Sequence, residues 1–284
     1  FDGPGGAGSP NFVYQIPMPD PYRGKFRSNN DDTAIKYVDC VQQILDDLRE
    51  DNKQVAAFIA EAILGCGGQI LFPEKFLAIA SKKVQQAGGL FIADEVQIGF
   101  GRVGSHFWGF ESENARPDIV TMGKSMGNGH PISAVVTTKE IADRFNNGME
   151  YFNSFGGNPV SCAVGKAVLQ VIEEEKLQEN AFQVGEYLMD QLNDLKQRHN
   201  IIGDVRGRGL FLGLELIKDH EKLTPASLEA EKIANDMKDH GILISTDGPD
   251  HNVLKIKPPM VFTCDNADQL VETLNKLLMK GDFN

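Results

Sequence analysis

Over residues 33–49 apolar side chains recur at helical spacing, with Ile35, Val38, Val41, Ile44, Leu45 and Leu48 on one face and polar residues on the other. That pattern predicts an amphipathic helix. A short apolar run at 55–59, ending near Glu61, predicts a buried strand, and the glycines at 65–68 predict a loop. A second helix is expected over 73–86, with Pro73 at its start and Gly88 beyond its end. Apolar runs at 89–93 and 117–122 follow, then a strand at 132–137 and a helix at 139–145. Strands alternating with helices at this spacing build βαβ units, so this part of the chain is expected to be α/β with a mostly parallel sheet.

A polar, glycine-containing loop at 150–159 leads into helices predicted over 160–175 and 180–198. Beyond them, strands at 201–205, 209–216, 242–245 and 253–256, with helices at 227–239 and 267–279, describe a smaller α+β unit. The expected division is a large domain over 1–165, then connecting helices and a small C-terminal domain over 166–284. Residues 1–31 are rich in Gly, Pro, Asn and Asp and read as irregular structure.

Composition removes some function classes. The formal net charge of −12 argues against nucleic acid as a partner, because a phosphate backbone is bound by basic patches. It leaves room for an anionic small substrate in a local positive pocket. No apolar run reaches the length of a membrane span, and the first residues do not read as a signal peptide, so no membrane partner is expected. Cys40, Cys66, Cys162 and Cys264 lie far apart, without Cys-x-x-Cys or zinc-site spacing, and the six histidines are scattered. The expectation is buried, reduced thiols in an intracellular protein with no metal centre.

The charged residues that close the apolar runs carry the chemistry. Glu61, Asp94 and Lys124 each fall at the carboxyl end of a predicted strand, where open α/β sheets bind ligands. A carboxylate and an amine at neighbouring strand ends are what pyridoxal 5'-phosphate (PLP) requires. The amine forms a Schiff base with its aldehyde, and the carboxylate pairs with its pyridinium nitrogen. Taken singly, the residues have plainer readings: Asp94 and Glu95 as solvated charges after a strand, Lys124 as a solvated lysine at a helix start.

The ordered pattern around them resembles the class III aminotransferases, PLP enzymes of the aspartate-aminotransferase-like fold (fold type I). The matching segments are 91–97 (Phe-Ile-Ala-Asp-Glu-Val-Gln), 99–104 (Gly-Phe-Gly-Arg-Val-Gly) and 117–129 (Pro-Asp-Ile-Val-Thr-Met-Gly-Lys-Ser-Met-Gly-Asn-Gly). The resemblance continues through 155–159 (Phe-Gly-Gly-Asn-Pro), 206–210 (Arg-Gly-Arg-Gly-Leu) and 257–259 (Lys-Pro-Pro). Segments 19–25 (Pro-Asp-Pro-Tyr-Arg-Gly-Lys) and 127–131 (Gly-Asn-Gly-His-Pro) are especially similar to the alanine–glyoxylate aminotransferase 2-like branch, which includes ethanolamine-phosphate and phosphohydroxylysine phospho-lyases.

By that resemblance Lys124 is the Schiff-base lysine and the base that moves the substrate proton, and Asp94 holds the pyridine nitrogen protonated. Val96 packs on the ring, Gln97 hydrogen-bonds the phenolic oxygen, and Glu61 lies near cofactor and substrate. Ser154 stands where the family has a Thr that reaches the cofactor phosphate of a neighbouring subunit, which implies a homodimer with shared sites. Arg102 and Arg206 are open between anion ligand and loop-holding ion pair.

Two departures from the family pattern steer the substrate. Many members place an Arg three residues before the Pro-Pro to clamp a substrate carboxylate, and a Glu after the Glu61 strand to pair with it; here those positions are Lys255 and Cys66. Arg holds a carboxylate with a bidentate fork that Lys lacks. The expected substrate is therefore a small primary amine bearing phosphate, cleaved to aldehyde, ammonia and phosphate. The alternatives are transamination of the alanine–glyoxylate type and a truncated, non-catalytic PLP-fold protein. The family's N-terminal part of the large domain, with its phosphate-binding loop, has no match here, and 3–8 (Gly-Pro-Gly-Gly-Ala-Gly) is a poor substitute because no strand or helix flanks it. The resemblance implies a mitochondrial location, with cytoplasm as the alternative.

Overall fold

In the computed structural model, which describes residues 6–28 and 30–281, the first apolar stripe becomes helix α1 (Asp31–Glu50). Asn30 caps it, its side-chain oxygen accepting the Thr33 N–H at 2.9 Å. Ala34, Tyr37, Val38, Val41, Leu45 and Leu48 are buried. Ile35, placed on that face by spacing, is 45 % exposed because Ala34 and Tyr37 turn inward instead. Of the N-terminal glycine run, residues 3–5 lie outside the described residues.

The first sheet has the strand order β1 (Ala57–Ala60), β4 (Leu90–Asp94), β5 (Ile119–Met122), β6 (Ala134–Thr137). The first three strands are parallel, and β6 closes the far edge antiparallel to β5. A small hairpin, β2 (Ile63–Leu64) and β3 (Ile70–Leu71), brackets the 65–68 loop. Helix α2 (Phe76–Gln86) starts three residues later than expected. Pro73 O accepts the Phe76 N–H, and Lys75 takes a left-handed φ of 70°, so the proline opens a turn rather than the helix. Phe91 and Ala93 alternate toward α1 and α2, joining Tyr37, Phe72, Phe76 and Leu77 in one core. Each large side chain buried there contributes about 1.5–3 kcal/mol relative to exposure.

Short helices α3 (Gly109–Ser112) and α4 (Lys139–Phe145) follow β4 and β6, and the long α5 (Pro159–Glu174) and α6 (Leu177–Arg198) connect to the second sheet. That sheet is antiparallel, in the order β7 (Ile202–Arg208), β8 (Phe211–Leu216), β10 (Val253–Ile256), β9 (Ser245–Asp247). Helices α7 (Ser227–Asp239) and α8 (Cys264–Lys280) complete the unit. Leu188, Leu192 and Leu195 of α6 enter this second core with Leu212, Leu214, Leu254 and Leu274, so α6 packs with the second sheet. The strand expected at 242–245 is displaced to Ser245–Asp247. The Ile242 N–H donates back to Met237 O, which holds that residue to the end of α7 and away from the sheet.

The two sheets meet at the β2–β3 hairpin. Arg206 Nε donates to Gly68 O at 2.8 Å, Gln69 Nε2 donates to Asp247 Oδ2 at 2.9 Å, and the Gly248 N–H donates to Cys66 O at 3.2 Å. Gly68 has a φ of 105°, and a Cβ there would lie 3.1 Å from both Arg206 Nη2 and Val253 Cγ2, so glycine permits the close approach. Glu215, 1 % exposed, receives Arg206 at 2.6 Å and Arg23 in an ion pair, tying the 20–24 turn to the same junction.

Candidate active site

Parallel register sets Ala60 beside Ala93 and Asp94 beside Thr121, so Glu61, Asp94 and Lys124 emerge from one edge of the first sheet. Asp94 is half-buried, and its Oδ1 accepts the Val96 N–H at 3.0 Å, which orients the carboxylate. Past β5, Lys124 begins a single 3-10 turn (Lys124–Met126) with a φ of 27° and an exposed side chain. A non-glycine residue held in the left-handed region is strained, and such strain concentrates at functional sites.

Glu61 and Gln97 face the same gap. Glu61 Oε2 accepts the Gly65 N–H at 2.7 Å. Burial pushes the Glu61 carboxyl above its ordinary range and the Asp94 charge adds to this, while the Gly65 N–H, Lys124 and Lys257 oppose it. Gln97 Oε1 accepts from Lys257 Nζ at 3.1 Å, and Gln97 Nε2 lies 3.7 Å from Cys66 Sγ. A Cβ at Gly65 would sit 2.9 Å from Gln97 Nε2 and 3.1 Å from Glu61 Oε2, so any other residue there would fill the gap. A Cβ on Gly123 would meet Val96 Cγ1 at 3.7 Å, which places Val96 beside the Lys124 turn. An oriented carboxylate, an apolar side chain, an amide and an amine around a space kept clear by glycine form a donor set that fits PLP.

The second sheet delivers cations to this edge. Lys255 Nζ pairs with Asp247 Oδ2 at 2.8 Å. Lys257, two residues on, reaches Gln97 and lies over the Phe211 ring at 5.8 Å. Burial pushes its ammonium below the usual lysine range, with Arg102, Lys255 and Lys124 adding repulsion. Lys257 and Gln69 were not singled out as site residues by sequence; a second lysine two residues after Lys255, directly before Pro-Pro, was the signal that could have found Lys257. Both arginines are anchored by protein partners, Arg102 through its Nη1. Arg102 donates to Leu210 O at 3.0 Å and Pro258 O at 2.9 Å, and burial pushes its pKa down to about 10. Arg206 is engaged by Asp204, Glu215 and Gly68 O.

Ser154 stands apart, on the exposed loop before α5, where Asn153 Oδ1 accepts the Phe155 and Gly156 N–H groups. The cysteines, expected to be buried, are not: Cys66, Cys162 and Cys264 are exposed and Cys40 is half-buried, because they fall in loops or on solvent faces of helices. Among the described residues no three His, Cys, Asp or Glu are placed to hold a metal, and no helix is long and apolar enough to cross a membrane.

Glu95, beside Asp94, is 1 % exposed and accepts the Gly109 and Phe110 N–H groups, both at 2.8 Å. Burial pushes its pKa up to about 7 against those hydrogen bonds, with Asp94 and Glu111 adding repulsion. Folding therefore favours the protonated carboxyl. The associated stability is present in full below about pH 4.5, the unfolded value, and is lost as pH rises through about 7. Between pH 5 and 8 the wild type is expected to lose up to ~3 kcal/mol relative to Glu95→Gln, measured by urea unfolding at each pH. Parallel pH profiles for the two proteins would show that Glu95 does not titrate there.

With this geometry in place, comparison with known proteins is specific. The family model for aminotransferase class-III matches residues 6–278. The chain is 49% identical over 276 residues to an alanine–glyoxylate aminotransferase 2-like protein of Drosophila melanogaster, covering 95% of this chain and 56% of that protein. It is 50% identical over 270 residues to the mitochondrial alanine–glyoxylate aminotransferase 2 homolog 2 of Arabidopsis thaliana, covering 95% of this chain and 55% of that protein. Among solved structures, a phospholyase from Arthrobacter in complex with phosphoethanolamine superposes with a TM-score of 0.85 at 40% identity, covering 88% of this chain and 59% of that one. The chain thus spans little more than half the length of these relatives.

Proposed function

Because the chain belongs to the class III aminotransferases, a PLP-dependent family, we propose that it serves a phospho-lyase acting on a small phosphorylated primary amine. Bound PLP supplies an aldehyde that captures a primary amine and a protonated ring that draws electrons from the adjacent carbon. Asp94, oriented by the Val96 N–H, would hold the ring nitrogen, Val96 would bear on the ring face, and Gln97 would meet the phenolic oxygen. Lys124 would carry the aldehyde and, once displaced by substrate, take the proton from the amine-bearing carbon. The electron pair left there would expel phosphate from the neighbouring carbon, and water would then convert the product to aldehyde and ammonia. Glu61, held by the Gly65 N–H, borders the same space.

One observation carries the lyase reading: the cation on Gln97 is the ammonium group of Lys257, with Lys255 two residues away paired to Asp247, while Arg102 is anchored through Nη1 to Leu210 O and Pro258 O and Arg206 is paired with Asp204 and Glu215. Point charges suit phosphate, whereas clamping a substrate carboxylate favours a free guanidinium. The chain's likeness to the Arthrobacter phospholyase supports the same reading. Transamination of the alanine–glyoxylate type is the second reading, favoured by the names of the Drosophila and Arabidopsis relatives. The Arabidopsis name also supports a mitochondrial location. The exposed Tyr151, Phe152 and Phe155 flanking Ser154 support a homodimer in which that loop reaches a second copy.

The test is to incubate the PLP-loaded protein with ethanolamine phosphate and follow ammonia and phosphate. Equimolar release is expected, from a species that sediments as a dimer. Amino-group transfer to glyoxylate without phosphate release would replace the lyase reading by transamination, and sedimentation as a monomer would remove the shared site.

A further inference from the structure

Lys255 and Lys257 differ in what holds them, and only one is available to a ligand. Lys255 lies on β10, and Lys257 follows the last residue of that strand, two positions on. The Lys255 ammonium is compensated by Asp247 at 2.8 Å, and Asp247 is itself fixed by the buried Gln69 at 2.9 Å. Lys257 donates to the neutral Gln97 Oε1 at 3.1 Å and forms no ion pair with a carboxylate among the described residues. Its charged neighbours are mainly cations: Arg102, Lys255 and Lys124, with Asp247 more weakly felt. A half-buried ammonium in that company is disfavoured alone and favoured by a dianion.

Position points the same way. Only four bonds separate nitrogen from phosphorus in ethanolamine phosphate, so its phosphate must bind close to the amine-capturing end. Lys257 is one hydrogen bond from Gln97, whose amide borders the gap shared with Glu61. Lys255 is turned toward Asp247.

We infer that Lys257 is the specificity-determining cation that takes the phosphate of a phosphorylated amine, while Asp247 holds Lys255 in reserve. This rests on the phospho-lyase reading for the identity of the substrate, and the geometry alone assigns the anion site.

The experiment is a calorimetric titration of inorganic phosphate into the PLP-loaded full chain, with KM for ethanolamine phosphate measured beside it. Lys257→Met is expected to weaken phosphate binding and raise KM about ten- to hundred-fold, the cost of losing a charged hydrogen bond. Lys257→Arg, which keeps the charge, should retain most of the affinity, and Lys255→Met should weaken binding less than Lys257→Met. An unchanged melting temperature and an unchanged absorbance of bound PLP in Lys257→Met would separate loss of the anion site from misfolding. If Lys257→Met binds phosphate like wild type, or Lys255→Met loses it instead, the assignment is overturned. Wild-type protein that binds phosphate but releases none from ethanolamine phosphate would end the lyase reading while leaving Lys257 as the anion site. Wild-type protein that binds no phosphate would end the assignment to Lys257.

Discussion

Lys124→Ala protein is expected to fold normally while its turnover falls by at least about 10²–10⁴-fold, the share that a positioned proton-transfer group contributes. Loss of the covalent hold on PLP should deepen the defect further. Lys124 is exposed and packs into neither core, so its truncation should leave stability within about 0.5 kcal/mol. Its φ of 27° is imposed by the turn between Gly123 and Gly127 and not by the side chain, so the backbone of the variant should keep its course there. The decisive readout does not need turnover. Borohydride reduction of PLP-loaded wild type, followed by peptide mass mapping, should find the adduct on the peptide holding Lys124, and the variant should yield none. An adduct on Lys257 instead, the ammonium that donates to Gln97, would show that the covalent role had been given to the wrong amine.

Asp94→Asn isolates charge from shape. Asn keeps an oxygen able to accept the Val96 N–H, so the side chain stays oriented as Asp94 is, at 3.0 Å from that nitrogen. What it loses is the negative charge facing a ring N–H. Removing one preorganised electrostatic partner of a developing charge costs about 10²–10³-fold in kcat. Affinity for PLP should fall about ten- to hundred-fold with the charged hydrogen bond. Absorbance titration with PLP and steady-state rates at saturating cofactor separate the two effects. A variant with wild-type kcat once saturated would assign Asp94 a binding role only.

The strand ends that carry Asp94 and Lys124 were legible in the sequence because their signal is local. A strand of period two that stops at a carboxylate, and another that runs into Gly-Lys, announce their ends without any knowledge of their neighbours. The same periodicity misjudged Ile35, since a stripe on a helix does not say by how many degrees the helix turns when a Tyr as large as Tyr37 seeks the core. It also placed a strand three residues early at Ile242, where the competing hydrogen bond to Met237 O comes from the preceding helix. Arg206 illustrates the other limit. Followed by Gly207, it is equally suited to an anion or an ion pair, and its partner Glu215 lies on the next strand.

The sequence by itself determined the kind of chemistry available: which amine and which carboxylate close neighbouring parallel strands, and that no arginine precedes the Pro-Pro by three residues. It did so because strand ends and motif spacing are properties of contiguous residues. Only the tertiary structure decided how the cations are shared out. Lys255 and Lys257 have the same chemistry and stand two residues apart, and nothing in the sequence between them distinguishes one from the other. Asp247, fixed by Gln69 from the β2–β3 hairpin, neutralises the first, and Gln97, carried from the other sheet, receives the second. Those partners lie far away along the chain for Gln69 and Gln97, and an ion pair or hydrogen bond depends on distance in space, which folding alone sets.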